Sequence, residues 1–297
     1  MRNFLERLGA GETLCGDGAW GTQLIARGLA PGDCPESMNL TRPEVLVEVA
    51  GLYLDAGADL ITTNTFGGSP LNLAAYGFDD RTEEVNRAAV EALKPATDGR
   101  AYVSASIGPT GKILEPYGDT PAEVVAAAFH RQTGALIEAG AEIVCIETMI
   151  DLREAELAVR AARTHSNDIP LIATMTFDAT PQGYFTTMGT TVAQACTTLV
   201  EAGADAVGSN CGNGIDTMIE IAAEFTWHAS VPVLILSNAG LPENRAGELV
   251  YPESPEYMAD RVAELIALGV GLIGGCCGTT PDHIRAIRAA IDQSRHE

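Results

Sequence analysis

The chain has 297 residues, 46% of them hydrophobic and 20% charged, a globular composition that excludes intrinsic disorder. Eighteen basic against forty acidic residues leave a net charge of −22, which repels nucleic-acid phosphates and anionic membrane surfaces. No apolar run approaches the ~20 residues of a membrane span. The start, Met1-Arg2-Asn3-Phe4-Leu5-Glu6-Arg7, lacks the apolar core of a signal peptide, so a cytoplasmic location is expected, with the seven cysteines mostly reduced.

In chain order, apolar runs predict strands at 13–17, 58–63, 101–106, 142–147, 170–176, 205–209, 232–237 and 271–275. Helical patterns lie between them. A phrase repeats at the joints: Leu54-Asp55-Ala56-Gly57-Ala58-Asp59-Leu60, Ile137-Glu138-Ala139-Gly140-Ala141-Glu142-Ile143 and Val200-Glu201-Ala202-Gly203-Ala204-Asp205-Ala206, with a looser copy at Ile266–Leu272. Each ends a helix on a glycine, which tolerates the left-handed conformation, and then starts a buried strand. Thr120-Pro121-Ala122-Glu123 reads as a capping box with proline at the first helical position, and Ser254-Pro255 and Thr280-Pro281 repeat the device. Eight alternations without a composition break predict a single (β/α)8 TIM barrel domain over residues 1–297, with an open doubly wound sheet as the alternative. Segments 18–42, 64–80 and 107–120 read as long loops after strands 1–3, on the face where barrels build their sites.

The strand ends are polar. In order they are Asp17, Asn64, Ser106, Glu147, Thr176, Asn210-Cys211, Asn238 and Cys276-Cys277. Cys145 and Cys196 sit inside apolar patterns and read as small buried hydrophobes. Cys276 and Cys277 do not. Adjacent Cα atoms lie ~3.8 Å apart, too close for an ordinary disulfide, and the glycines around them let both thiols face one point. With Cys211 they make three thiolates around an open position, which suits Zn2+; inert reduced thiols are the other reading. Histidine ligands are not expected, because His130, His165, His228, His283 and His296 fall in helices, at helix ends or in the tail. Glu147 and Asp17 can receive an α-ammonium group or can simply brace loops. Asn238 can bind substrate or form a turn, and the backbone N–H groups around Gly21 and Thr22 can hold a carboxylate.

These stretches resemble the zinc-dependent homocysteine S-methyltransferase family, most of all the homocysteine-binding domain of cobalamin-dependent methionine synthase. The resemblance rests on Gly16-Asp17-Gly18-Ala19-Trp20-Gly21-Thr22, Thr62-Thr63-Asn64-Thr65-Phe66-Gly67, Ile107-Gly108-Pro109-Thr110-Gly111, Ile146-Glu147-Thr148, Met175-Thr176-Phe177-Asp178, Asn210-Cys211, Ser237-Asn238-Ala239-Gly240 and, above all, Gly274-Gly275-Cys276-Cys277-Gly278-Thr279-Thr280-Pro281. It implies a (β/α)8 barrel that binds zinc through Cys211, Cys276 and Cys277. Homocysteine thiolate would take a methyl group from an activated donor and become methionine. It further implies homocysteine contacts from Asp17, Glu147, Asn238 and the backbone near Gly21 and Thr22, with Asn64 and Thr176 shaping the pocket. Ser106 departs from the aspartate usual in methionine synthases, which leaves the donor open. The resemblance leaves no residues for folate and cobalamin domains, so a methyl-corrinoid would come on a separate protein.

Other readings stay in view. The acceptor can be another thiol, or the three cysteines can form a non-enzymatic zinc or thiol sensor. Gly16-Asp17-Gly18-Ala19-Trp20-Gly21 matches a phosphate-loop pattern, but Asp17 would set a negative charge beside the phosphate. A Schiff-base aldolase is disfavoured because Lys94 and Lys112, the only lysines, end no strand.

Overall fold

The computed structural model describes residues 3–245 and 248–295. Its main sheet has eight parallel strands: β1 (Leu14–Cys15), β2 (Leu60–Thr62), β3 (Tyr102–Ile107), β4 (Ile143–Met149), β5 (Leu171–Met175), β6 (Ala206–Asn210), β7 (Val233–Ser237) and β8 (Leu272–Gly275). Along the sheet they run β2 to β8 in sequence and then β1, which is the order of a (β/α)8 barrel. Between them pack α1 (Pro43–Asp55), α2 (Thr82–Thr97), α3 (Ala122–Glu138), α4 (Leu152–His165), α5 (Val192–Ala202), α6 (Ile215–His228), α7 (Val262–Ala267) and α8 (Pro281–Ser294). The repeated joints behave as the sequence implies. Gly57, Gly140, Gly203 and Gly269 have φ of 93°, 94°, 118° and 84°, and each lets its helix stop before the next strand.

Successive residues of a strand face opposite sides, so every second residue lines the barrel. The lowest inner layer is apolar: Leu14, Leu60, Tyr102, Ile143, Ile172, Ala206, Leu234 and Leu272 pack with Phe4 and Leu8 of the N-terminal helix Phe4–Gly9. Phe4 stands edge-on to Tyr102 at 5.5 Å and plugs the floor. Four residues further along, the chain is polar at seven of the eight positions (Asn64, Ser106, Glu147, Thr176, Asn210, Asn238 and Cys276); Leu14 leads instead to Gly18, with Asp17 just before it. This gradient places the chemistry at the mouth and the burial below it.

β1 and β2, at the two ends of the sheet order, meet across a seam. Asp59 N–H donates to the Cys15 carbonyl at 2.8 Å, and Cys15 N–H to the Asp59 carboxylate at 2.9 Å. Higher up, Thr62 N–H and hydroxyl donate to Asp17 at 2.7 and 2.8 Å. Side-chain carboxylates thus complete the closure where the two short strands run out.

One expectation needs correction. Thr120 does not cap α3: Pro121 (φ −62°, ψ 143°) is the cap residue, without a side-chain bond, and the Thr120 hydroxyl donates instead to Asp119 at 3.3 Å. Proline holds the residue before it extended, and Thr120 pairs with Leu114 in a short bridge. Ser254 does cap, accepting Tyr257 N–H at 3.2 Å, and Thr280 caps through His283. Long loops also follow β5 and β7, not only β1–β3. They carry the hairpins Asp178–Thr180/Gly183–Phe185 and Glu243–Arg245/Glu248–Val250, whose three-residue strands are too short to show a period in sequence.

Candidate active site at the barrel mouth

The polar end of the inner face brings the strand-end residues together. Asn210 ends β6, and Cys211 follows with φ 62°, a left-handed backbone that a cysteine rarely adopts. The turn is held by Cys211 N–H to the Leu236 carbonyl (3.1 Å) and Asn213 N–H to the Cys211 carbonyl (2.9 Å). After β8, Cys276 N–H donates to the Ser237 carbonyl (2.7 Å) and Cys277 N–H to Asn238 Oδ1 (3.0 Å). The sulfurs of Cys211, Cys276 and Cys277 all lie within 4.8 Å of one another, and Cys211 and Cys277 are 3.7 Å apart. Among the described residues they are the only such cluster of metal-ligating side chains.

The cluster fits a divalent cation. Sulfurs of a tetrahedral zinc shell, with Zn–S about 2.3 Å, stand about 3.8 Å apart. Its protons also lack room. Hydrogen bonds from Cys276 and Cys277 hold the Cys211 thiol well below the usual thiol range, and the same contacts push Cys276 well above it. Three sulfurs this close oppose one another's ionisation; a cation lets all three ionise.

Two carboxylates share the mouth, Glu147 within reach of the charge on Cys211 and Asp17 within reach of Glu147. Asp17, buried, accepts Trp20 Nε1 (2.8 Å) as well as both Thr62 donors. Glu147 accepts the Ser106 hydroxyl at 2.5 Å and Asn210 Nδ2 at 3.2 Å. Burial pushes Asp17 up to about 6, against its hydrogen bonds. Burial likewise pushes Glu147 up to about 7; the Ser106 bond opposes this, and negative charge on Asp17 and Cys211 adds to it. Among the described residues, no cationic side chain is bonded to either carboxylate. The pair is therefore short of a positive charge, which is what an incoming ammonium group provides.

The other expected residues are placed less directly. Asn238 holds Cys277 through Oδ1 and also hydrogen-bonds Cys211, so it braces the thiols rather than forming a free turn. Thr176 donates its hydroxyl to the Asn210 carbonyl at 2.9 Å, and its methyl fills the space where a side chain on Gly212 would go. Asn64 turns its amide into the loops, donating to the Pro35 carbonyl and Asn39 Oδ1, both at 2.8 Å. Gly21 and Thr22 are exposed at the start of the short helix Gly21–Ile25. Cys145 and Cys196 are buried, as expected. His130, His165, His228 and His283 stand outside the thiol cluster, and His296 lies outside the described residues.

Two contributors were not singled out from the sequence as site residues. Tyr251, in the loop after β7, hydrogen-bonds Cys277; burial and the thiolate's charge push its hydroxyl up to about 12. Its ring lies where a Cβ on Gly278 would fall, 2.1 Å away. Only the loop's folding brings it there, and no local pattern announces it. Asn210 was visible as a strand end, but its partners were not.

The fold and the site together define a (β/α)8 barrel with three clustered thiols and two carboxylates at its mouth. The chain belongs to the homocysteine S-methyltransferase family, whose model matches residues 14–291. It is 36% identical to the methionine synthases of Mycobacterium leprae and Mycobacterium tuberculosis, over 97% and 94% of this chain. The chain spans about a quarter of the length of these relatives, 25% in each case. The homocysteine methyltransferase MmuM from Escherichia coli superposes with a TM-score of 0.80 in both its metallated and oxidised forms, at 24% and 25% identity, over 97% of this chain and 99% of that one. No described helix is long and apolar enough to cross a membrane.

Proposed function

We propose that this chain moves a methyl group from an activated donor to the thiolate of homocysteine, giving methionine, at a zinc site made by Cys211, Cys276 and Cys277. The observation that carries this is the convergence at the barrel mouth of three thiols and two carboxylates that have no cationic partner among the described residues. When bound, zinc supplies one thing: it deprotonates a thiol that would otherwise be only a few per cent ionised at neutral pH, given a free pKa of about 8.5.

The chain's own residues do the rest. Glu147 and Asp17 receive the substrate ammonium and, in doing so, exchange repulsion for attraction. Backbone N–H groups at Gly21 and Thr22 receive the carboxylate. Asn238 and Tyr251 hold the cysteine sulfurs in place, Thr176 walls the pocket, and Asn64 fixes the loops above it. The homocysteine thiol proton leaves to solvent, the sulfur–carbon bond forms, and the donor departs with the electron pair of its broken methyl bond.

The donor is a small activated methyl compound or a methyl-corrinoid, and the similarity to methionine synthases supports the second. Residues 1–297 act as one domain in this reading, in the cytoplasm, where free thiols persist. The test is methionine formation by reduced, zinc-loaded protein with S-methylmethionine, S-adenosylmethionine, betaine, dimethylsulfonium compounds, methylcobalamin and methyltetrahydrofolate. Turnover with one names the donor. No turnover, with homocysteine still bound, points to a corrinoid protein; no homocysteine binding points to another thiol or a sensor.

A further inference from the structure

We infer that Asn210 is the positioning residue that sets where the substrate's amine is held relative to its sulfur. The inference rests on the homocysteine reading above and adds a residue to it. The Asn210 carboxamide is fully buried and every polar atom of it is engaged. Oδ1 accepts Thr148 N–H and the Thr174 hydroxyl, both at 2.7 Å. A backbone N–H can only donate, so this oxygen cannot be exchanged with Nδ2. Nδ2 is thereby forced toward the mouth. It donates to Glu147 Oε2 at 3.2 Å and to Thr148 Oγ1 at 2.7 Å, and it lies 3.9 Å from Cys276 Sγ.

One –NH2 group therefore touches both the carboxylate that receives the amine and a sulfur of the thiol cluster. The separation of those two subsites is bounded by its two contacts. The backbone is shaped to the same end. Thr148 has φ 60°, strained for a β-branched residue, and the register of β4 against β5 slips between Ile146 and Met149. Both Thr148 N–H and its hydroxyl are bonded to Asn210, so the residue that holds Glu147 also holds the irregularity that aims it. Asn210 touches neither the amine nor the methyl group in this account. It acts through Glu147.

The decisive probe is a thiol of the same length without the amine, 4-mercaptobutyrate, compared with homocysteine. Both are titrated into cobalt-substituted protein and followed by the sulfur-to-cobalt charge-transfer band. The native chain is expected to bind homocysteine at least tenfold tighter than 4-mercaptobutyrate. Asn210→Ala should keep the cobalt band and its affinity for 4-mercaptobutyrate within about twofold, yet lose most of the preference for homocysteine. Thr174→Val removes only one bond to Asn210 and keeps its shape, so it decides the matter if Asn210→Ala does not fold; its preference should fall at least threefold. Equal weakening of both thiols, an unchanged preference, or loss of the cobalt band in both variants overturns the assignment. A native band indifferent to homocysteine overturns the homocysteine reading itself, and this one with it.

Discussion

The Asp17 carboxylate takes both the N–H and the hydroxyl of Thr62, at 2.7 and 2.8 Å, and so ties β1 to β2 at the barrel mouth. The same carboxylate lies close enough to Glu147 to raise its proton affinity. One group thus serves the fold, by closing a seam that two short strands leave open, and the site, by adding to a deficit of positive charge.

Asp17→Ala should therefore cost stability as well as ligand affinity. It leaves the Thr62 and Trp20 donors without their acceptor, and orphaned buried donors cost about 1–3 kcal/mol each, offset in part by removal of a poorly solvated charge. We expect a loss of about 2–4 kcal/mol in denaturant unfolding. An unchanged midpoint would show that the seam does not depend on this carboxylate.

Cys211→Ser, Cys276→Ser and Cys277→Ser should each abolish most bound zinc and methyl transfer, because two thiolates do not complete the shell. Elemental analysis after dialysis against a weak chelator reads this directly. Full zinc and full turnover in Cys277→Ser would remove it from the site.

The carboxylates predict a pH dependence that a thiol does not confuse if methionine is the ligand. Glu147 titrates near 7 and Asp17 near 6 in the fold, against ordinary values near 4. An ammonium needs the ionised forms, so methionine affinity should level off toward pH 8, fall by up to about tenfold per unit between pH 7 and 6, and fall more steeply below 6. Calorimetry across pH 5–8 measures this, and Glu147→Gln should flatten the profile at lower affinity. The linked effect on the ligand-free fold has the opposite sense. Both pKa values are raised, so the unfolded chain gives up these protons first, and stability falls as pH rises from about 4 to about 7. Glu147→Gln should remove its share of that fall.

Gly278→Ala should disturb the thiols without touching them. Gly278 has φ 81°, and a Cβ there would lie 2.1 Å from the Tyr251 ring. The left-handed backbone alone costs an alanine about 1–2 kcal/mol, and the ring must move off Cys277. Weaker zinc retention with a folded barrel is the expected result; native zinc affinity would show that Tyr251 is free to give way.

Much of this architecture was legible because it is local. A run of apolar residues is a short-range signal that located all eight strands to within two residues, and a glycine that ends the preceding helix marks four of them. The hairpins after β5 and β7 escaped because three-residue strands carry no period. Thr120 misled because a cap motif specifies residue types, while its pairing with Leu114 is decided by how the loop folds back. In the site, strand ends could be named in advance, since barrel strands all point their last residues at one face. What each end bonds to could not.

The sequence by itself determined the alternation, the barrel, the three thiols and the family pattern that joins them, because strand period and glycine placement are properties of a few consecutive residues. The tertiary structure alone decided that Asp17 closes a seam, that Asn64 faces its loops, that Tyr251 reaches Cys277, and that one amide of Asn210 spans Glu147 and Cys276. Those partners come from separate strands and loops, tens of residues apart. Only closing the barrel puts them within a hydrogen bond of each other.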